Sequence, residues 1–232
     1  MKKFYNAGYY LMINKPFKFF NEEPKDIKTC SICINNSIFN FWCLSWTSNE
    51  SSKEEQEELG ISDNQKKDIQ KWTDEMFEKG LLQWVNSFPS LELALRFKNM
   101  FFAHINNIEI RTIYFSESES NEFIKESEND NNGRLSLAHN LLKKGEESQF
   151  INEEFLGFDL IGIENDGSFH TFHCHDISKD LKSKFSMNLN KNGLFNEITK
   201  QDKLLEYLND DLTGLAPVPW FIVKTKRVNY IE

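Results

Sequence analysis

The segment Phe155 to His175, FLGFDLIGIENDGSFHTFHCH, gathers most of the side chains able to do chemistry. Three of the chain's five histidines and one of its four cysteines fall within positions 170–175. On a continuous strand, His173 and His175 project to one side, the arrangement of many strand-borne metal ligands, and Asp176 or His170 would complete a set. Phe169 and Thr171 would share that side, leaving His170, Phe172 and Cys174 on the other. Cys174 between two histidines also has the makings of a nucleophile, with His173 or His175 as its base. Neighbours on a strand point apart, however, so such a base would have to come from across the fold. The plainer expectation is that these imidazoles are packed or hydrogen-bonded within a Phe-rich hairpin.

Cys30 and Cys33 have the C-x-x-C spacing of zinc and redox sites, but they fall in a β-rich run that would set the two thiols on opposite faces. Cys43 and Cys174 supply no second C-x-x-C, so buried free thiols are expected. Glycine-rich phosphate loops and serine-centred elbows are absent from the sequence.

The elements that must position these residues are legible from periodicity and turn chemistry. Residues 155–163 and 169–175 read as two strands around Asn165-Asp166-Gly167, residues that tolerate a tight reversal. We take this hairpin as the organising element. Further strands are expected at Phe4 to Ile13, within Thr29 to Thr47 around a turn at Asn35-Asn36-Ser37, at Ile108 to Phe115, and from Trp220 to Tyr230. Lys15-Pro16 and Glu23-Pro24 interrupt the early part.

A helix is expected from Ser62 to about Lys79, where Ser62 and Gln65 have capping-box spacing, Ile69, Trp72, Met76 and Phe77 fall on one face, and Gly80 ends it. Ser90 caps a second helix running to about Phe102, apolar enough to be buried. Leu135 to Leu142 forms a short third, and Thr199 with Asp202 caps a last one carrying Leu204, Leu205 and Leu208. Positions 116–133, SESESNEFIKESENDNNG, read as an acidic disordered loop or a boundary between an N-terminal part, 1–115, and a C-terminal part, 134–232. No internal repeat is evident, and the whole predicts one α+β domain over 1–232, mainly antiparallel sheet with several packed helices.

A net charge of −9 disfavours a nucleic-acid partner, which needs a basic stripe, and suits a basic protein partner instead. Acidic residues that would face such a partner are Glu54, Glu55, Glu57 and Glu58, then Glu117 and Glu119, and the pair Asp210 and Asp211. No cofactor is expected. The opening residues lack a signal-peptide core and no run spans a bilayer, so a cytoplasmic protein with reduced thiols is expected.

Gly157-Phe158-Asp159-Leu160-Ile161-Gly162, then Gly167-Ser168-Phe169-His170-Thr171-Phe172 and Cys174, followed by Asn190-Lys191-Asn192-Gly193-Leu194 and Pro219-Trp220, resemble motifs of bacterial proteins of about this length. Those proteins look like the immunity side of bacterial toxin systems. The resemblance covers about the last third of the chain. It implies a non-enzymatic binding protein that blocks a cognate toxin, with specificity in the acidic loops. The alternative is a metal- or cysteine-dependent hydrolase centred on His170 to His175.

Overall fold

The computed structural model describes residues 3–13, 26–31, 34, 36–37, 57, 59–82, 87–127, 134–145, 152–165, 167–175 and 177–229. The fold is α+β. Six strands form one antiparallel sheet: β1 (Phe4–Ile13), β2 (Asn36–Ser37), β3 (Ile108–Ser116), β4 (Glu153–Ile163), β5 (Phe169–Thr171) and β6 (Trp220–Val228), in the order β2-β1-β3-β6-β4-β5. Six helices accompany it among the described residues: α1 (Asp63–Glu78), α2 (Leu91–Phe101), α3 (Glu117–Ser127), α4 (Arg134–Leu142), α5 (Ser178–Phe185) and α6 (Gln201–Leu208).

Strands taken from both sides of 116–133 pair in this sheet, β3 with β6 at its centre. The β4–β5 hairpin therefore lies towards an edge, and the organising role expected of it belongs to β3 and β6. Asn36 and Ser37, expected in a turn, instead pair with Ile13 and Met12. The rest of the strands expected within Thr29 to Thr47 lies largely outside the described residues, as do Pro16 and Pro24.

The helix caps follow local chemistry. Ser62 and Gln65 form the reciprocal capping box at the start of α1, whose Ile69, Trp72 and Met76 are buried while Phe77 is exposed. The Ser90 hydroxyl accepts the Leu93 N–H and opens α2. Phe97 on α2 packs against Trp72, Phe88 and Phe101 with ring centroids 5.0, 5.3 and 5.2 Å away. Such ring pairs each add about 0.5–1.5 kcal/mol beyond the area they bury. At α6 the expected cap fails: Lys200 takes the cap position in a left-handed conformation, and Thr199 donates its hydroxyl proton to the Phe185 carbonyl instead. Helix α5 had no counterpart in the sequence-based expectations.

The acidic stretch after β3 is a helix and not a loop over Glu117–Ser127; positions 128–133 lie outside the described residues. The Ser116 hydroxyl accepts the Glu119 N–H and donates to the Glu119 carboxylate at 2.6 Å, bracing the first turn. Phe123 is fully buried against Phe115 and Phe221, centroids 5.6 and 5.4 Å away. Phe123, with Ile124 partly buried beside it, is enough to seat an otherwise polar helix, because the sheet face beneath is apolar.

The chain contains an internal repeat that its sequence hides. One half runs β1-β2-α1-α2-β3 and the other β4-β5-α5-α6-β6, with α3 and α4 between them. In each half the strand flanking the central pair, β1 or β4, breaks register at a glycine, between Asn6 and Gly8 and between Phe155 and Gly157. Gly8 pairs with Ile113, Ile113 with Thr225, and Thr225 with Gly157, so one row crosses the four inner strands and is related to itself by a twofold between β3 and β6.

Just past each glycine the strand makes the same reciprocal bridge. Tyr9 and Phe88 exchange backbone hydrogen bonds of 2.9 and 2.8 Å; Phe158 and Phe195 exchange bonds of 2.7 and 3.0 Å. Both glycines have positive φ, 138° and 148°, and a Cβ at either would come 2.5 Å from the Cβ of Ser87 or of Leu194. Only glycine satisfies both constraints. The shared code is a glycine and a bridging aromatic, too sparse to register as sequence similarity.

Candidate functional site

The histidine-rich segment does not stay extended. Strand β5 ends at Thr171, whose hydroxyl accepts the His173 N–H and starts a 3-10 turn over Phe172–Cys174. The turn closes with the His175 N–H donating to the Phe172 carbonyl at 3.1 Å. Strand alternation therefore stops before the residues whose ligand geometry depended on it. Phe169 and Thr171 lie on the strand while His173 lies in the turn and His175 at its end, so the strand alternation behind the alternative metal set does not extend through it.

His173 turns inward. It is 3% exposed, its Nε2–H donates to the Gly193 carbonyl at 2.7 Å, and its ring stacks on Phe172. Its neighbour Cys174 is exposed. His170 pairs through Nε2 with Glu164 at 2.5 Å. The His175 ring lies 6.3 Å from that of His170 and edge-on to Trp220 at 5.6 Å. Burial, and then the neighbouring His170, hold the His175 imidazole below its ordinary pKa, so it is the neutral form that packs here. No group of three or more metal-ligating side chains occurs among the described residues, and Asp176 lies outside them.

The motifs that carried the family resemblance are joined by this packing. Asn190 Oδ1 accepts the N–H groups of Asn192 and Leu194, and its Nδ2 donates to the Leu156 carbonyl at 2.8 Å, fastening the 190–194 turn onto the Gly157 bulge. His173 holds the same turn through Gly193. A Cβ on Gly162 would come 2.8 Å from the Trp220 ring, so the second glycine of that motif and the Pro219-Trp220 pair also fit each other.

Of the cysteines, Cys30 is buried, and burial first of all pushes its thiol up to about 12, which keeps it protonated and unreactive. Cys33 and Cys43 lie outside the described residues.

A charged cluster that sequence reasoning missed lies on one face of the sheet. Directly paired residues of an antiparallel sheet share a face, and the pairs Arg111–Arg227 and Arg227–Glu154 bring these charges together. Arg111, fully buried, donates through Nε and Nη2 to Glu109 at 3.0 and 2.8 Å and through Nη1 to the Thr29 carbonyl at 2.6 Å. Lys28 and Arg227 reach the other Glu109 oxygen, each at 3.2 Å. Burial alone would raise the Glu109 carboxyl, but Arg111 and Lys28 outweigh it and hold it at about 2.

Asp159, also fully buried, accepts hydrogen bonds from the hydroxyls of Thr29 and Thr171 and from the Leu160 N–H. Burial nevertheless lifts its carboxyl to about 6, against those bonds and the nearby Arg111. Together these contacts strap residues 28–31 across the sheet, helped by the Ser31 hydroxyl donating to the Phe169 carbonyl at 2.7 Å. The visible signal was an Arg in IEIRTIYF and an Asp in FDLIGI, charges inside strand-like apolar runs that need partners once buried.

The expected acidic face divides. Glu119 is 2% exposed; one oxygen takes the Ser116 hydroxyl and the other the Ile222 N–H at 2.7 Å, where it continues the hydrogen bonding of β6. It is a structural carboxylate and not part of a surface. Glu54, Glu55 and Glu58 lie outside the described residues. Glu57, Glu117, Asp210 and Asp211 are exposed. Glu117 accepts the Tyr5 hydroxyl at 3.1 Å.

Asp210 and Asp211 stand at a cleft of about 440 Å³ whose other walls include Leu208, Leu215, Val218 and Pro219. Asp210 Oδ1 accepts the Leu212 N–H at 2.9 Å, opening a 3-10 turn over Asp211–Thr213. Among the described residues, no helix is long and apolar enough to cross a membrane. No family model, no curated protein and no solved structure matches the chain.

Proposed function

We propose that this chain is a non-enzymatic binding protein that neutralises a basic partner, in the manner of an immunity protein acting on a cognate bacterial toxin. The observation that carries the proposal is the exposed Asp210–Asp211 pair set on a cleft that Leu208, Leu215, Val218 and Pro219 also line, in a chain of net charge −9. Exposed carboxylates steer a basic partner and fix its register, and an apolar recess beside them supplies affinity. The side chains that first suggested catalysis support the same reading: His173 is engaged with Gly193, and the Thr171 cap takes the segment out of strand geometry.

The test is co-purification from the cells that naturally express the chain, carried out at about 50 mM and about 500 mM salt, since surface charge pairing is screened within about a Debye length. A single basic protein recovered at low salt and depleted at high salt is expected. Recovery of none at either concentration would overturn the proposal.

A further inference from the structure

The two halves of the chain depart from each other in the connection that leads from the last helix of each half into its central strand, and it is there that the cleft lies. Phe88 and Phe195 correspond through their bridges, and Phe101 and Leu208, at the same spacing, both end the following helix. Past that point the spacing grows: Ile113 and Thr225 correspond across the twofold, as do the starts of β3 and β6, Ile108 and Trp220. The first half joins its helix to its strand through residues 102–107, the second through residues 209–219. The extra residues make the Asp210–Thr213 turn and the wall of the cleft. Since the first half closes the same connection without them, the fold does not require them.

The extra loop is also braced by hydrogen bonds. The Asn209 side chain accepts the Trp220 N–H at 2.9 Å and donates to the Trp220 carbonyl at 3.2 Å, clamping the loop across its base. Trp220 Nε1 donates to the Ala216 carbonyl at 3.1 Å. The Thr213 N–H and hydroxyl both donate to the Asp210 carbonyl, at 3.0 and 2.8 Å. On this braced turn Leu212 is held 91% exposed, far more than the 58% of Leu142, the next most exposed large apolar side chain described. A single exposed leucine needs no explanation on its own. Here it stands on a braced insertion, next in sequence to an acidic pair that lines a cleft together with Leu215 and Val218, which is how an interface anchor is presented at low entropic cost.

We infer that the 209–219 loop is a docking site for a segment of a partner protein that carries Lys or Arg beside an apolar side chain. The apolar group enters the cleft and covers Leu212, and the cation meets Asp210 and Asp211. This deepens the binding function proposed above and rests on it.

The test is selection of a random peptide library against the full chain, followed by affinity measurement of the selected peptides on Leu212→Ser and on an Asp210→Asn, Asp211→Asn double variant. Asn at 210 retains the cap on the turn, and both variants are expected to melt with the parent because the altered side chains are exposed. Selected peptides should share a basic residue next to an apolar one, and each variant should weaken them by about tenfold or more, the loss of one interface anchor. Peptides without that pattern, or equal binding to all three proteins, would overturn the inference. So would sedimentation showing that the parent self-associates and Leu212→Ser does not, which would assign the loop to a second copy. Failure here with a basic partner still recovered in co-purification would reject this surface and leave the binding function standing.

Discussion

At the scale of single residues, Asp159 is the most informative. Its carboxyl is raised from 3.8 to about 6 in the folded chain. Between those values the folded state holds a proton that the unfolded state has released, so stability falls as pH rises through this window. The contribution is fully present below about pH 4 and lost by about pH 6 to 7, with a size of about 3 kcal/mol for a shift of this order. Glu109 acts in the opposite sense: its depressed carboxyl adds stability above its ordinary value of 4.5 that is lost as pH falls towards about 2.

Asp159→Asn keeps an acceptor for Thr29 and removes the buried charge. We expect it to raise the melting temperature at pH 7.5 and to flatten the decline between pH 4 and 6, measured as the difference from the parent by thermal melting across pH. An unchanged difference across that window would show that Asp159 does not titrate there. This residue and Arg111 are charges in apolar runs that the sequence reading passed over, and Thr29, which both of them meet, is far away in the chain. Spacing along a strand carries no information about such pairings. His173 is packed and hydrogen-bonded as the plainer expectation had it, but the strand alternation read through it fails for a different reason: the Thr171 hydroxyl that turns the chain out of the strand is a local cap, weaker as a sequence signal than the alternation on either side.

At the scale of elements, the two glycine bulges are the test. Gly8→Ala and Gly157→Ala each force a left-handed φ on alanine and place a Cβ 2.5 Å from another. Each should cost about 1–3 kcal/mol for the backbone, with overpacking in addition. Similar losses of denaturant midpoint for the two are expected, because each bulge fastens its strand to an equivalent bridge; a loss in one only would show that the repeat is not shared in energy. Caps and strands with clear periodicity were legible: Ser62–Gln65, Ser90, Phe4 to Ile13 and Ile108 to Phe115 all stand as the sequence indicates. Helix α3 was not, although Ser116 and Glu119 carry the S-x-x-E spacing of a helix start. Its polar composition outweighed that signal, and only the apolar sheet face under Phe123 turns so polar a stretch into a seated helix.

At the scale of the molecule, the repeat separates what the fold needs from what has been added to it. Glu119, Asn190 and His173 hold strands and turns, and the motifs that suggested a family are largely this fastening. Asp210, Asp211 and Leu212 sit in residues that the other half does without. The acidic face read from the sequence was too broad in membership at Glu119, because composition does not distinguish a solvated carboxylate from one that completes a β-strand.

The measurement that bears most directly on the proposed neutralising function is growth of cells in which the co-purified basic partner is expressed, with and without this chain. The partner alone should arrest growth, the parent chain should relieve the arrest, and a chain carrying Asp210→Asn, Asp211→Asn and Leu212→Ser should relieve it far less. Arrest that persists in the presence of the parent chain would contradict the account.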